Sequence, residues 1–367
     1  MEICFDASHS DERSALSITP EHENHHAVDE EPGIAVIIPV YNAGDDLVSC
    51  LTSLFDAGQA PSDIVLVDDD STDGAAQSAA ERHGTRYVRL TSGPHGPAFA
   101  RNRGTREFTA SDAYLFVDSD VSLQADALQR FRKIVATRKD IAAVFGSYDD
   151  RPTDAGWISQ YKNLLHHYMH QTSRPDVTTF WSGCGLVRRA AFRGVGGFDE
   201  DFATASIEDI DLGTRLREAG HVIRLQKDIL CRHHKCWTLK GWLKTDIMAR
   251  ALPWSRLIAE RGEGIPDVLN LGWRERLSAL VALGFHAGIL FLAALTVFGA
   301  ASVAIWALVA VIVGCIVMFA LLQRHLLALF RRRQGTPFML VAALLHSIYY
   351  VYSSLVFVGV RLTTMLR

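Results

Sequence analysis

The sequence predicts an α/β domain built on a mostly parallel sheet, followed by a C-terminal region of transmembrane helices. Two observations support this fold class. From residue 33 onward, short aliphatic runs alternate with helical patterns, which is typical of a sheet wrapped by helices. Residues 277–322 include no formally charged side chain, and uncharged apolar runs of that length rarely occur outside lipid. The first feature defines an N-terminal domain and the second a membrane region.

The alternation places acidic residues at the ends of two predicted strands. Strands are predicted over residues 34–39, 63–67, 85–90 and 113–117, and helices over residues 45–55, 74–83 and 97–108. Asp68-Asp69 follows the second strand and Asp118-Ser119-Asp120 follows the fourth. Ligands of such sheets bind beyond the carboxyl ends of the strands, so we expect both acidic loops at one crevice. An isolated acidic pair often only caps the next helix, so its neighbours decide its meaning.

The uncharged run is long enough for two membrane spans. As helix, residues 277–322 would extend over about 69 Å, about twice a hydrocarbon core of about 30 Å. We therefore expect a hairpin that turns near Gly299-Ala300. A second uncharged run, residues 338–360, is long enough for a third span. Arg361 and Arg367 would then lie outside, so a full third span and a re-entrant or interfacial segment both stay open.

Basic residues predict the orientation of this region. Arginines flank the hairpin on the side of the N-terminal domain: Arg274, Arg276, Arg324, Arg331, Arg332 and Arg333. Positive residues favour the cytoplasmic side of a membrane. We expect a multi-pass protein of the cell (inner) membrane with its N-terminal domain in the cytoplasm. The six cysteines show no disulfide-like framework, which fits this reducing compartment.

The chain divides into four predicted regions. Residues 1–32 carry nine acidic side chains and one basic one, which is typical of a solvated, disordered tail. The α/β domain takes residues 33–236. Residues 237–275 are predicted to form interfacial amphipathic helices, and residues 276–367 form a membrane region with two or three transmembrane helices. Since the net charge is −4, the chain after the tail carries about +4, which suits an anionic membrane face.

Tryptophans among basic residues are the reason for expecting interfacial helices between the two larger regions. The tryptophans are Trp237, Trp242, Trp254 and Trp273. Tryptophan prefers the headgroup level of a bilayer, and basic residues attract anionic lipid. We expect one or two helices here, with a bend near Pro253. Packing of an ordinary amphipathic helix on the α/β domain is the alternative.

Several ordered motifs identify the family of the N-terminal domain. They are Val36-Ile37-Ile38-Pro39-Val40-Tyr41-Asn42, then Asp68-Asp69-Asp70-Ser71-Thr72-Asp73-Gly74, then Asp118-Ser119-Asp120, then Gly196-Gly197-Phe198-Asp199-Glu200, and last Glu208-Asp209-Ile210-Asp211-Leu212. This set resembles the family 2 glycosyltransferases over about residues 33–225. The resemblance implies a GT-A fold, which is a nucleotide-diphospho-sugar transferase domain with a Rossmann-like mixed sheet.

The resemblance assigns the first two motifs to the sugar-nucleotide donor. Pro39 ends the first strand, Tyr41 can lie against a nucleobase, and Asn42 offers amide hydrogen bonds. Asp68 and Asp69 would accept hydrogen bonds from the base and the ribose. Plain packing of Tyr41 and helix capping by the two aspartates are the alternatives.

One residue departs from the family pattern, in which many members carry glycine at the position of Asp70. Its added charge is expected to point outward or to be neutralised by a base such as Arg101. The Gly-rich turn before residue 97 and Arg101 would favour a diphosphate.

The resemblance and the ligand chemistry assign Asp118 and Asp120 to a divalent cation. Carboxylate and phosphate oxygens suit Mg²⁺ or Mn²⁺. Asp118 would also contact the donor. A third protein ligand in such folds is often a late histidine, and His233 or His234 can supply it. Such a cation would stabilise the diphosphate as it leaves.

The last motif is assigned to the acceptor. An alcohol attacks poorly until a base takes its proton, and Asp209 is expected to be that base, with Glu208 orienting it. A polyprenyl phosphate is already ionised at neutral pH and needs no base, because its second pKa is about 6. The acidic pair therefore favours a hydroxyl acceptor. Trp181 and Gly183 resemble the loop on the acceptor side.

The leading prediction is a membrane-anchored, metal-assisted inverting glycosyltransferase of cell envelope glycan biosynthesis. It would move a sugar from a nucleotide-diphosphate donor to a hydroxyl of a lipid-linked or membrane-proximal acceptor. A polyprenyl-phosphate glycosyltransferase is the rival enzyme, and a non-catalytic sugar-nucleotide-binding scaffold is the rival of another class. The expected partners are the donor, the acceptor and membrane lipids, and no nucleic acid.

Overall fold

The computed structural model describes residues 31–261, 272–298 and 302–366. The strands of these residues are β1 (Ile34–Val40), β2 (Ile64–Asp69), β3 (Arg86–Leu90), β4 (Ala113–Val117), β5 (Val121–Leu123), β6 (Ile141–Tyr148), β7 (Asp176–Val177), β8 (Cys184–Arg188) and β9 (Val222–His233). The helices of the sheet domain are α1 (Asp46–Asp56), α2 (Ala75–His83), α3 (Pro97–Thr105), α4 (Ala127–Thr137), α5 (Trp157–Thr172), α6 (Arg189–Gly194) and α7 (Glu208–Glu218). The four predicted strands correspond to β1–β4 and the three predicted helices to α1–α3. Two ends differ: β2 includes Asp68 and Asp69 rather than ending at residue 67, and α3 ends at Thr105 rather than at residue 108.

The strands form one mixed sheet with the order β3-β2-β1-β4-β8-β6-β9-β5, and β7 pairs with β9. Pairing is parallel from β3 to β4, as the alternation of strands and helices predicts. Strand β8 runs antiparallel to both β4 and β6. This pairing sets Cys184 beside Val117, so the chain that enters β8 passes directly beside the acidic loop after β4. The sheet is therefore mixed, as in the GT-A expectation, rather than mostly parallel.

Helices cover both faces of the sheet because its strands are apolar on both sides. One cluster packs α1, α2 and α4 on the sheet through Leu47, Ala76 and Phe131. The other packs α3, α6 and α7 through Ala98, Phe192 and Leu212. With both faces covered, the polar groups at the carboxyl ends of the strands form the open edge of the domain.

Three apolar helices follow toward the C-terminal end: α10 (Trp273–Val297), α11 (Ser302–Leu322) and α12 (Arg324–Met365). Among the described residues, these three are long and apolar enough to cross a membrane. The predicted third segment, residues 338–360, lies inside α12, which is kinked at Gly335 with φ of 84°. The expected turn at Gly299-Ala300 and residues 1–30 of the acidic tail lie outside the described residues.

Between the sheet domain and these apolar helices, the chain forms α8 (Leu239–Lys244), a π-helical segment (Thr245–Ala251) and α9 (Leu252–Arg261). Pro253 lies in the first turn of α9 and follows the π-helical segment. The side chains of Trp237 and Trp242 are buried in a cluster with α5 and α12. Trp242 lies in α8 and Trp237 precedes it, and both side chains are enclosed by protein. For these two tryptophans the expectation of contact with lipid headgroups is therefore wrong. Leu239 and Met248 are exposed instead.

A buried carboxylate joins these parts of the chain. Asp246 accepts hydrogen bonds from Lys162 of α5 at 2.7 Å, from the indole of Trp242 at 2.7 Å and from Tyr352 of α12 at 2.8 Å. Arg250 adds a contact at 3.1 Å. Burial lowers the pKa of Lys162 to about 8, although the nearby carboxylate opposes this shift. The charges are paired and saturated with hydrogen bonds, so α5, the π-helical segment and α12 are held together.

Candidate active site

The site forms where β4 ends and α7 begins, and Arg101 of α3 connects the two. Its guanidinium donates to Asp118 at 2.7 Å and to Glu208 at 2.9 Å. Arg101 is buried, and burial alone would lower its pKa, but the two carboxylates raise it above its ordinary value. Arg101 therefore links the acidic loop after β4 to the acidic motif at the start of α7 through two ion pairs. A direct role of Arg101 at a diphosphate stays a prediction.

Asp209 lies one residue further along α7 in a different environment. One carboxylate oxygen accepts from the backbone N–H of Ile210 at 2.8 Å and the other from that of Ser182 at 3.3 Å. Burial and the neighbouring Glu208 raise the pKa of Asp209 to about 7, while Arg101 opposes the rise. A carboxylate with that pKa can take a proton near neutral pH. This is the property expected of a general base.

The other acids of this motif have structural partners. Glu208 accepts from Arg101 and, through its second oxygen, from the backbone N–H of Ser206 at 2.8 Å. Asp211 pairs with Arg215 at 2.7 Å, one helical turn away. The interactions of Glu208 keep the start of α7 in place beside Asp118, and a role in orienting Asp209 stays a prediction.

The structure brings His233 to the acidic loop after β4. The Nε2 atom of His233 lies 3.4 Å from a carboxylate oxygen of Asp120. His234 points elsewhere, because its ring nitrogens lie 2.7 Å from the Ser122 hydroxyl and 3.2 Å from that of Thr153. Of the two predicted histidines, only His233 brings a ring nitrogen close to the carboxylate of Asp120.

The donor set at this loop fits a divalent cation. The distance of 3.4 Å between Nε2 of His233 and the Asp120 oxygen is close to the separation of adjacent ligands around an octahedral cation. That separation is about 3.0 Å at bond lengths of about 2.1 Å. Among the described residues, no group of three or more His, Cys, Asp or Glu side chains is close enough to hold a metal by itself. Asp120 and His233 would thus supply two ligands, with Asp118 adjacent, and phosphate oxygens and water would supply the others.

Asp68 and Asp69 end β2 and hold the neighbouring loops. Asp68 is fully buried and accepts from Tyr87 at 2.7 Å and from the backbone of Ser71 at 2.8 Å. Asp69 accepts from the backbone N–H groups of His95 at 2.9 Å and Gly96 at 2.7 Å. Both carboxylates therefore hold the loops beside the end of β2 in place through hydrogen bonds within the protein. Their contacts to a base or ribose remain predictions.

The charge of Asp70 is neutralised by a residue other than the expected one. Asp70 lies 3.3 Å from Arg89, whereas Arg101 is occupied with Asp118 and Glu208. Its φ of 64° lies in the left-handed region, which favours glycine and explains why glycine suits this position. The expectation that Arg101 neutralises Asp70 is therefore wrong, because α3 turns Arg101 toward the end of β4.

The first motif lies at the rim of the crevice. Pro39 is the sixth residue of β1, and the ring of Tyr41 is 53% exposed. Asn42 accepts a hydrogen bond from the backbone of Thr72 at 2.9 Å, so its amide oxygen ties the loop after β1 to the loop after β2. Tyr41 is thus accessible to a base, and Asn42 holds the loop that carries it.

Trp181 and Gly183 line the side nearest Asp209. The ring of Trp181 packs edge-on against Tyr148, with 4.6 Å between the centroids. A Cβ atom on Gly183 would lie 2.5 Å from this indole, so glycine is needed for the indole to keep its position. Ser182, between them, donates its backbone N–H to Asp209. The predicted acceptor loop is therefore in direct contact with the candidate base.

Sequence reasoning missed three residues of the site. Tyr148 ends β6 and stacks on His233, with 4.9 Å between the ring centroids. Asn163 of α5 contacts the other ring nitrogen of His233 at 3.0 Å. Arg89 of β3 pairs with both Asp68 and Asp70. None belongs to a motif, although the histidine-rich sequence of α5 was a signal that this helix faces a polar site.

A mixed sheet with an acidic loop at the end of β4 and a candidate base at the start of α7 defines the class of GT-A glycosyltransferases. Residues 35–196 match the family model described as "Glycosyl transferase family 2". The chain therefore contains a family 2 glycosyltransferase domain and is a glycosyltransferase. The alternative of a non-catalytic scaffold is therefore set aside.

Relatives and solved structures agree with this assignment. The chain is 28% identical over 235 residues to an N-acetylglucosaminyl-diphospho-decaprenol L-rhamnosyltransferase of Mycobacterium tuberculosis (strain CDC 1551 / Oshkosh), covering 55% of this chain and 76% of the relative. It is 28% identical over 240 residues to a pre-mycofactocin glycosyltransferase of the same strain, covering 63% of this chain and 49% of that protein.

One solved structure is similar over most of the chain. It is the mannosyltransferase PcManGT from Pyrobaculum calidifontis in complex with GDP-Man and Mn²⁺, with a TM-score of 0.59 and 20% identity. The similarity covers 90% of this chain and 88% of that one. At this identity the comparison supports the fold alone.

Proposed function

We propose that the protein is a membrane-anchored, inverting glycosyltransferase that moves a sugar from a nucleoside-diphosphate donor to a hydroxyl group of a lipid-linked acceptor. The observation that carries this proposal is Asp209, whose pKa is raised to about 7 by burial and by Glu208. A group with this pKa suits proton removal from an alcohol at neutral pH. A decaprenol-linked acceptor is named for one relative, which supports the acceptor class proposed here.

In the proposed reaction, the acceptor oxygen forms a bond to the anomeric carbon from the face opposite the diphosphate. The bond between that carbon and the diphosphate oxygen breaks, and the electron pair leaves with the nucleoside diphosphate. Asp209 takes the hydroxyl proton, and the backbone N–H groups of Ser182 and Ile210 keep its carboxylate in position. Inversion follows because the two bonds lie on opposite faces of the sugar.

Asp118, Asp120 and His233 would hold Mg²⁺ or Mn²⁺, whose charge would stabilise the departing diphosphate. Tyr41 would lie against the base, with Pro39 and Asn42 keeping its loop in place. Asp68 and Asp69 would contribute to the base and ribose side, as expected from the family resemblance. Trp181 would stack on a sugar of the acceptor.

The test compares Asp209→Asn with Asp211→Asn in the full-length protein. Both changes remove one carboxylate from α7, but Asp211 pairs with Arg215. We expect Asp209→Asn to lower transfer to a hydroxyl acceptor by about 10²- to 10⁴-fold. Donor affinity should stay near that of the unmodified protein, and Asp211→Asn should stay active. Unchanged transfer in Asp209→Asn would remove this residue from the mechanism.

The same variant separates the two acceptor classes. A polyprenyl phosphate is ionised at neutral pH and needs no base. If such a phosphate is the natural acceptor, Asp209→Asn should transfer to it at nearly the rate of the unmodified protein. Labelled donors assayed with polyprenyl phosphate and with hydroxyl acceptors therefore decide between the leading proposal and its rival.

We further propose that the sheet domain lies in the cytoplasm at the inner membrane. Arginines at the sheet-domain ends of α10 and α12 support this orientation. Cys236 is exposed on the sheet domain and tests it. A membrane-impermeant thiol reagent should label Cys236 in lysed cells but not in intact cells, with Cys236→Ser as the control. Labelling of Cys236 in intact cells would reverse the orientation.

A further inference from the structure

We propose that Asn163 is a positioning residue that fixes the tautomer and orientation of His233 for a divalent cation at Asp120. This inference rests on the proposed metal site. It assigns a role to a residue of α5 that lies outside every recognised motif.

The geometry of His233 is the first step. Its two ring nitrogens have different partners: Nδ1 lies 3.0 Å from the amide oxygen of Asn163, and Nε2 lies 3.4 Å from the carboxylate of Asp120. An amide oxygen only accepts hydrogen bonds, so Nδ1 must carry the proton. In the neutral ring, Nε2 then presents its lone pair toward the carboxylate of Asp120. This is the tautomer that a metal ligand needs.

The ring is also held against rotation. Tyr148 stacks on His233 with an interplanar angle of 17°. Together, the Asn163 hydrogen bond and this stacking define both the ring plane and the direction of Nε2. Partners that orient a ligating histidine in this way commonly tune metal affinity.

Asn163 itself occupies a defined place. It is 3% exposed and directly follows two residues of α5 that are attached to other parts of the chain. Lys162 binds Asp246 at 2.7 Å, and Tyr161 lies 3.1 Å from a ring nitrogen of His346 in α12. The backbone that carries Asn163 is therefore held from the membrane side, and its amide oxygen reaches His233 from a fixed helix.

Stability alone does not account for asparagine at this position. The amide nitrogen of Asn163 is buried and has no hydrogen-bond partner among the described residues. A buried donor without a partner is unfavourable, and a leucine of similar size would avoid that cost. The benefit of the amide is thus its oxygen, which holds His233.

The test measures Mn²⁺ binding to the full-length, detergent-solubilised protein by EPR of free Mn²⁺, with no donor or acceptor present. We expect Asn163→Leu to raise the Kd for Mn²⁺ by about 10- to 100-fold. Asn163→Asp should keep the Kd within a few-fold of the unmodified protein, because a carboxylate also accepts from Nδ1. Thermal unfolding of each variant checks that it is folded.

The outcomes separate this inference from the proposed metal site. His233→Ala should weaken Mn²⁺ binding at least as much as Asn163→Leu. If His233→Ala leaves the Kd unchanged, the metal site and the inference both fall. If His233→Ala weakens binding but a folded Asn163→Leu binds within twofold of the unmodified protein, only the role of Asn163 falls. Equal weakening by Asn163→Asp and Asn163→Leu would overturn the tautomer assignment.

Discussion

Asp209 should make transfer to a hydroxyl acceptor depend steeply on pH. Burial and the adjacent carboxylate of Glu208 raise its pKa to about 7 from 3.8. A base must be ionised to work, so activity should be lost as the pH falls through the raised pKa and retained above it. A carboxylate with an ordinary pKa would be ionised throughout the neutral range and would give a flat profile.

The size of the effect follows from the ionised fraction. With a pKa of about 7, about 9% of Asp209 is ionised at pH 6 and about 91% at pH 8, so kcat/KM should rise about tenfold. The assay measures kcat/KM with a labelled donor and a hydroxyl acceptor, because this quantity reports the pKa of the free enzyme.

Two variants test the cause of the shift. Glu208→Gln removes a like charge next to Asp209 and should move the midpoint to lower pH by about one unit. Arg101→Gln removes the opposing charge and should move it to higher pH. Asp211→Asn is the control, because its carboxylate pairs with Arg215. A flat profile between pH 6 and 8, or shifts of Glu208→Gln and Arg101→Gln in the same direction, would refute this reasoning.

Three further outcomes are expected. Asp246→Ala leaves Lys162 buried without its partner and should lower the free energy of unfolding by about 3–5 kcal/mol, measured by thermal unfolding in detergent, whereas Asp246→Leu combined with Lys162→Met should restore much of it. Gly183→Ala places a Cβ atom 2.5 Å from Trp181 and should raise the KM for the acceptor while the Kd for the donor stays unchanged; equal changes in both would contradict it. Tyr87→Phe removes a hydrogen-bond donor 2.7 Å from buried Asp68 and should lower the free energy of unfolding by about 1.5–3 kcal/mol. A thermal midpoint equal to that of the unmodified protein would contradict this prediction.

The parts of the fold that depend on local sequence were predictable. Strands β1, β2 and β4 are continuous apolar runs, and the carboxyl ends of β2 and β4 carry the acids that the alternation placed at one edge. Asp118 and Glu208 belong to motifs of the recognised set, and the structure brings them together at Arg101. In each case a short segment carries its own periodicity and end signal.

The parts that depend on distant contacts were not predictable. Arg101 turns to Asp118 and Glu208 because α7 returns beside α3, about a hundred residues later in the chain, and no local pattern shows that return. Trp242 is buried because α12 folds back onto it, although its basic neighbours indicate a lipid surface. Asn163 contacts His233 only because α5 packs beside β9.

The cluster around Asp246 has a consequence for which acceptors fit. Asp246 binds α5 and α12, and Ser206, which precedes α7, donates to the carbonyl of Ala249 in the same π-helical segment at 2.9 Å. The candidate base at the start of α7 is therefore tied to the apolar helices. We expect the enzyme to glycosylate only hydroxyls that lie at one fixed height above the bilayer. A series of lipid acceptors that differ only in the spacer between the lipid and the hydroxyl should show a single optimum length. Equal rates across the series would mean that the acceptor, rather than the enzyme, adjusts to the distance.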